Sequence, residues 1–279
     1  RFVKSAAFLL PLLALLWFGP DFAEKVKGFI TAALAAGAGI WAYNPRAEAI
    51  KQTKAGINAA IAGALGISYA HDCAAGQGFL RAKEHRMFPG YSRESFEDLW
   101  SGDLAGKPFS LHEVHLEQRR SSNKGSHYVT VFRGPVLTIG FARAFHSTTL
   151  VERSGRHKRF GMFGEKAELE VDGRILARAD MVHPQFEDAF TIYSDDAVEA
   201  NYLVHPAYIE RLIALETAFA GQDIRTLFKD GELTVVLGAK NMFESGSMNA
   251  ARDREMVEMA VTQFMAMAEL AGSLNEAPR

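Results

Sequence analysis

Two stretches near the amino terminus carry no charged residue, Ser5–Pro20 (SAAFLLPLLALLWFGP) and Gly28–Tyr43 (GFITAALAAGAGIWAY). Each is about 16 residues long. Flanking Phe2, Val3, Phe22, Ala23 and Val26 bring both towards the roughly 17–25 apolar residues that cross a bilayer as a helix. The short mixed segment between them permits only an antiparallel pair, so residues 1–43 are expected to form a transmembrane helical hairpin. Trp17, Phe18, Trp41 and Tyr43 sit at run ends, where amphipathic rings settle at headgroup depth. Ala33 with Gly37, and Ala35 with Gly39, repeat small residues four apart, a helix-packing face that lets backbones approach closely in lipid. Two other readings exist. A cleaved secretion signal is opposed by the lack of a small-x-small site after Pro20 and by the second apolar run. A pair of buried core helices is permitted by the run lengths.

Beyond this the pattern turns amphipathic. Over residues 44–66, Ile50, Ile57, Ile61 and Leu65 recur at near-helical spacing while Lys51, Gln52, Lys54 and Asn58 are expected to face away, which predicts a connecting helix. Residues 67–279 then alternate strand and helix signals, the pattern of an α+β domain with a mainly antiparallel sheet. Strands are expected at Phe96–Leu104, Phe109–Gln118, His127–Arg133 and Val136–Arg143, the last two divided by Gly134 and Pro135. Asp172-Gly173 and Asp230-Gly231 mark two hairpins, because both central residues of a type I′ turn need positive φ. They join Ala167–Val171 to Arg174–Arg178 and Ile224–Phe228 to Glu232–Leu237.

Ser194, Asp195 and Asp196 can cap a short helix from Ala197, with Glu199 three after Asp196 in capping-box spacing. Pro206 starts a second helix with Ile209, Leu212, Ile213 and Phe219 on one side, ending at Gly221. A long terminal helix over Ala250–Ala271 carries Val257, Ala260, Val261, Phe264 and Ala268 on a broad apolar face expected to pack on the sheet.

Charge narrows the function. In 279 residues, 31 basic and 33 acidic side chains leave a net charge of −2, which supplies no field to hold nucleic acid. The single cysteine, Cys73, can form no internal disulfide, in keeping with a reducing compartment. Arg1 and Lys4 precede the apolar runs and Arg46, Lys51 and Lys54 follow them, against Lys25 and Lys27 between. The positive-inside rule therefore places both termini and the large domain in the cytoplasm.

Candidate chemistry is sparse. His112-Glu113-Val114-His115 has ligand-type residues, but on a strand its two histidines point to opposite faces, and metalloprotease histidines lie four apart on a helix. His71-Asp72-Cys73 could activate a thiolate only with geometry that adjacent residues seldom have, so Cys73 reads as a small buried apolar residue. Asp195 and Asp196 are accounted for by capping. No Walker loop, dinucleotide fingerprint or GxSxG elbow is present, and no catalytic residue, metal ligand or cofactor site is assigned. One run, Arg153, Arg156, His157, Lys158, Arg159 and Phe160, concentrates positive charge beside an aromatic ring. It is the candidate contact for anionic lipid or a partner, each basic residue near an acidic leaflet being worth roughly 1 kcal/mol. As a solvated hairpin tip it needs no function.

The segment Phe186–Leu203 (FEDAFTIYSDDAVEANYL) with Pro206–Leu212 (PAYIERL) resembles the central signature of a bacterial family, domain of unknown function 3137. Val131-Phe132-Arg133-Gly134, Gly231–Val236 and Met242-Phe243-Glu244 add to the resemblance, which covers most of Ala47–Leu274; Asn201 and Val204-His205 depart from it. The family implies a domain attached to the bacterial inner membrane, sometimes encoded beside LemA-type membrane proteins, and implies no catalytic residue. The expected function is a non-enzymatic, membrane-tethered domain that binds the bilayer and a protein partner or further copies of itself. Alternatives are an enzyme acting on a lipid or membrane-bound substrate, and an oligomeric membrane scaffold or channel.

Overall fold

The computed structural model describes residue 31 and residues 50–122, 125–141, 145–157, 166–180, 187–239 and 250–274. The expected hairpin, with Trp17, Phe18, Ala33, Ala35, Gly37, Gly39, Trp41 and Tyr43, lies outside the described residues, as do Lys158, Arg159 and Phe160. No helix among the described residues is long and apolar enough to cross a membrane.

The α+β expectation holds. Among the described residues, ten strands form one antiparallel sheet: β1 (Ser68–Asp72), β2 (Arg93–Leu104), β3 (Lys107–Ser122), β4 (Gly125–Gly140), β5 (Thr149–Arg153), β6 (Glu168–Val171), β7 (Arg174–Ala179), β8 (Phe190–Ser194), β9 (Gln222–Lys229) and β10 (Glu232–Gly238). Their order is β1-β2-β3-β4-β10-β9-β5-β8-β7-β6. Helix α1 covers residues 50–65, α2 Gln77–Glu84, α3 Ala197–Leu203, α4 Pro206–Ala218 and α5 Ala250–Ser273.

Both faces of the sheet are buried, because successive side chains of its central strands point alternately to two cores. Val151, Ile192 and Val235 join Leu212 of α4 and Phe264, Met267 and Leu270 of α5 on one face. Leu150, Tyr193 and Val236, each next in sequence to one of those three, join Phe79 and Ala82 of α2 and Phe88 on the other. The terminal helix meets the sheet where Phe264 sits edge-on to the fully buried Trp100 (5.1 Å). Along its outer side Arg211 of α4 reaches Glu269 (2.7 Å). The face is narrower than expected, since Val261 is exposed.

Turn chemistry set both Asp-Gly hairpins. Asp172 and Gly173 have φ of 51° and 69°, Asp230 and Gly231 of 54° and 75°. Asp196 caps α3 by accepting from the amides of Val198 and Glu199, and Pro206 opens α4. The expected capping box is not completed. Glu199 instead accepts from the amides of His146 (3.0 Å) and Ser147 (2.6 Å), and Ser194 Oγ takes the Asp196 amide.

Two expectations are corrected. Gly134 and Pro135 do not divide two strands; β4 runs through them, pairing Val114 with Gly134 and Glu113 with Pro135. Proline is tolerated there because the ladder to β10 ends at Val136. Gly134 is required: its φ is 151°, and a Cβ would lie 2.0 Å from the Leu237 carbonyl oxygen.

The connecting helix is the second correction. Lys54 and Asn58 face inward, with Ala62 one further turn on, while Ile50 and Leu65 are exposed. The cause is Asp98, fully buried at φ 57° where β2 bulges between Glu97 and Trp100. Its carboxylate accepts from the Tyr69 hydroxyl (2.6 Å), lies 2.8 Å from His71 Nδ1 and pairs with Lys54 Nζ (2.5 Å). A buried charge is held only by such partners, so α1 turns a polar stripe towards the sheet. Asp98→Ala should lower stability by about 3 kcal/mol by stranding Lys54. Replacing Lys54 by Met together with Asp98 by Leu should recover part of that loss, read from denaturant midpoints of the full chain.

Candidate functional site

The basic run begins where β5 ends, and strand alternation sends its first members to opposite faces. Arg153 turns to the α4 face, where it pairs with Glu216 and lays its guanidinium over the Phe190 ring (4.3 Å). Glu152 turns to the α2 face and is 1% exposed. The turn that follows folds Arg156 and His157 back over it. His157 Nε2 lies 2.5 Å from one carboxylate oxygen and Arg156 Nε 3.1 Å from the other. Arg156 Nη1 donates to Asp223 (2.9 Å), and Asp223 also accepts from Arg225, whose other terminal nitrogen donates to the Met87 carbonyl. His157, Glu152, Arg156, Asp223 and Arg225 thus form one continuous chain of polar contacts.

Two cavities flank this chain. The smaller, of about 220 Å³, is lined by His85, Arg86, Glu152, His157, Lys166 and Glu168, among others. His85 donates from Nδ1 to the Arg81 carbonyl (2.8 Å), leaving Nε2 to accept from Lys229 (3.3 Å). Burial, with the Lys229 charge adding to it, holds this imidazole below its usual pKa. The larger cavity, of about 800 Å³, collects Arg133, Arg156, Arg225 and Asp223 with an apolar wall that includes Pro89, Phe132 and Ala239. Burial pushes the Arg225 guanidinium below its usual pKa, with Arg156 adding to the effect. Arg133 of β4 borders the cavity, but its Nε donates to Glu113 (2.7 Å) in a separate small cleft with Ser95, Glu97 and His115. Burial raises the Glu113 carboxyl above the ordinary carboxylate range despite that arginine.

The other sequence candidates separate. His112 and His115 point to opposite faces as strand geometry requires: His115 is partly exposed and bonds the Thr130 hydroxyl (2.8 Å), while His112 is buried against Phe96 and Gly76. Neither ring nitrogen of His112 has a hydrogen-bond partner among the described residues. Cys73 is half-buried rather than buried; burial and the Asp98, Glu97 and Asp72 carboxylates raise its thiol pKa, and His71 is engaged with Asp98. It is therefore not an activated thiolate. Asp195 accepts from the Thr148 amide (2.7 Å) and pairs with Arg174 (3.0 Å), a structural role like that of Asp196. Among the described residues no group of three or more His, Cys, Asp or Glu side chains can hold a metal ion.

Sequence reasoning missed the partners of the basic run. Glu216 and Asp223 lie on α4 and β9, which meet the run only in the folded sheet, while Glu152 stands just before it and reaches Arg156 four residues on. It also missed Asp98. The available signal was the Lys54-Asn58-Ala62 spacing together with alternating Tyr69 and His71, two polar faces that need a common buried partner.

This arrangement, an antiparallel sheet with helices on both faces and a chain of polar contacts crossing one of them, defines the chain as an α+β domain. A family model described as "Protein of unknown function (DUF3137)" matches residues 130–276, more than half the chain, and the chain belongs to that family. No curated protein matches it. Among solved structures it is similar to the "crystal structure of the mycobacterial trehalose monomycolate transport factor A, TtfA", at 10% identity and a TM-score of 0.34, over 82% of this chain and 98% of that one.

Burial holds the His112 imidazole down to a pKa of about 4. An unfolded histidine titrates near 6.5, so between these values the unfolded chain binds a proton that the native chain refuses. Stability should therefore fall as pH drops from about 6.5 to about 4, by about 3 kcal/mol from this residue. His112→Leu should flatten that slope without loss at pH 7, since it removes unpaired buried nitrogens. Denaturant unfolding of both chains across the pH range measures it.

Proposed function

We propose that this chain is a membrane-tethered, non-enzymatic domain that binds a partner protein, or further copies of itself, at the cytoplasmic face of a bacterial inner membrane. The tether is the pair of uncharged runs in residues 1–43, with the positive-inside bias giving the orientation. A LemA-type membrane protein is the partner class that the family association suggests.

The observation that carries the binding reading is the surface of the helical layer. Val198 and Tyr202 of α3 and Met259, Val261 and Met265 of α5 are large apolar side chains left exposed, Val198 by 83% and Met265 by 60%. Methionine-rich, adaptable helical surfaces are suited to partner contacts. A second reading, an enzyme acting on a lipid or membrane-bound substrate, is favoured by one arrangement. Buried Glu152 holds His157 in the smaller polar cavity, as a carboxylate orients a general base.

The full chain, extracted in mild detergent, should run as a complex larger than a monomer and should stay with the membrane through an alkaline carbonate wash. Val198→Asp with Met265→Glu should reduce it to the monomer while changing stability by no more than about 0.5 kcal/mol per site, because both positions are exposed. Glu152→Gln should leave the complex intact. A wild-type chain that is monomeric and alone, or that the wash releases, would sink this reading.

A further inference from the structure

We propose that the larger cavity is a binding site for a phosphate-class dianion, clamped between Arg156 and Arg225, and that Asp223 occupies the clamp as a built-in competitor. The inference stands apart from the partner-binding reading and does not depend on it.

Two segments distant in sequence each deliver one arginine to this cavity: the turn after β5 gives Arg156, and β9 gives Arg225. Among the described residues of the lining the one acidic side chain is Asp223. Arg156 is fixed from the protein side by Glu152, a buried carboxylate that does not line the cavity. Such backing sets the plane of the guanidinium.

Arg225 is the unusual member. It is 5% exposed, and its Nε–H has no acceptor among the described residues. Only its terminal nitrogens are used, towards Met87 and Asp223. A buried cation with an unmet donor is costly, and a stronger anion across its terminal nitrogens would offset that cost.

Asp223 shows the geometry such an anion would use. Its carboxylate bridges Arg156, at 2.9 and 3.2 Å, and Arg225. To do so its backbone takes φ of 57°, a left-handed conformation unfavourable for a side-chain-bearing residue, and the residue is nearly half exposed. A monoanion held in that way bridges the two guanidiniums and is exposed enough to be displaced. A phosphate group, with more oxygens and up to two charges, matches the pair better. The volume of about 800 Å³ far exceeds a bare phosphate, and the Pro89, Phe132 and Ala239 wall suits an anionic group carried on a larger, partly apolar molecule.

Two sources share this chemistry, a lipid headgroup and a free phosphorylated solute. The experiment is titration calorimetry on the full chain in uncharged detergent, with inorganic pyrophosphate in one arm and short-chain phosphatidic acid in the other. Asp223→Gly removes the competitor and suits the left-handed backbone, and should tighten binding about tenfold. Asp223→Asn, which also tolerates that conformation, should do the same and serves if the glycine variant fails to fold. Arg156→Gln should weaken binding about tenfold. Binding in the pyrophosphate arm would identify a solute phosphate, and binding in the phosphatidic acid arm alone a lipid headgroup. No saturable binding of either probe to wild type and the Asp223 variants, or binding indifferent to Arg156→Gln, would overturn the proposal.

Discussion

A sheet that buries both of its faces leaves little room for charge, and this constraint organises the molecule. In β5, β8 and β10, neighbouring residues serve different cores: Leu150 and Val151, Tyr193 and Ile192, Val236 and Val235. Polar groups on these strands must therefore be neutralised where they emerge. Glu152 is neutralised by a turn that folds back over it, and Thr226 by the Tyr208 hydroxyl (2.7 Å). Asp98 draws Lys54 in from a helix more than forty residues earlier. The chain of polar contacts and the Lys54 contact are two responses to one problem, a carboxylate fixed in a covered sheet.

Much of the fold could be read in advance wherever the cause is local. The Asp-Gly hairpins, the Asp196 cap and the Pro206 start depend on residues within a few positions of each other, and they stand where expected. What escaped depends on tertiary neighbours. Gly134-Pro135 looks like a break in any window of sequence. It becomes a continuous strand because β10 stops beside it and brings the Leu237 carbonyl against the missing side chain. Lys54 and Asn58 obey the rule that polar residues face water until a buried carboxylate reverses it.

The candidate site was legible only by half. The density of basic residues at Arg153–Phe160 marked the right segment. It gave no hint that Arg153 and Arg156 leave the surface field to enter ion pairs with Glu216, Glu152 and Asp223. Two of those acids come from α4 and β9, which no spacing rule links to the run; Glu152 stands immediately before it, four residues from Arg156. The same pairing that lowers the free charge of this segment also holds its guanidiniums still, and fixed donors recognise a ligand better than mobile ones.

The ion pair between α1 and β2 has a mechanical side. A helix seated by apolar contacts alone can swivel about its axis or slip along it at small cost, since one methyl replaces another. A helix carrying the countercharge of a sealed carboxylate cannot, because any swivel pulls Lys54 off Asp98 and breaks a buried ion pair. The azimuth of α1 is therefore keyed to the sheet. One buried pair thereby dictates which side of α1 meets β2.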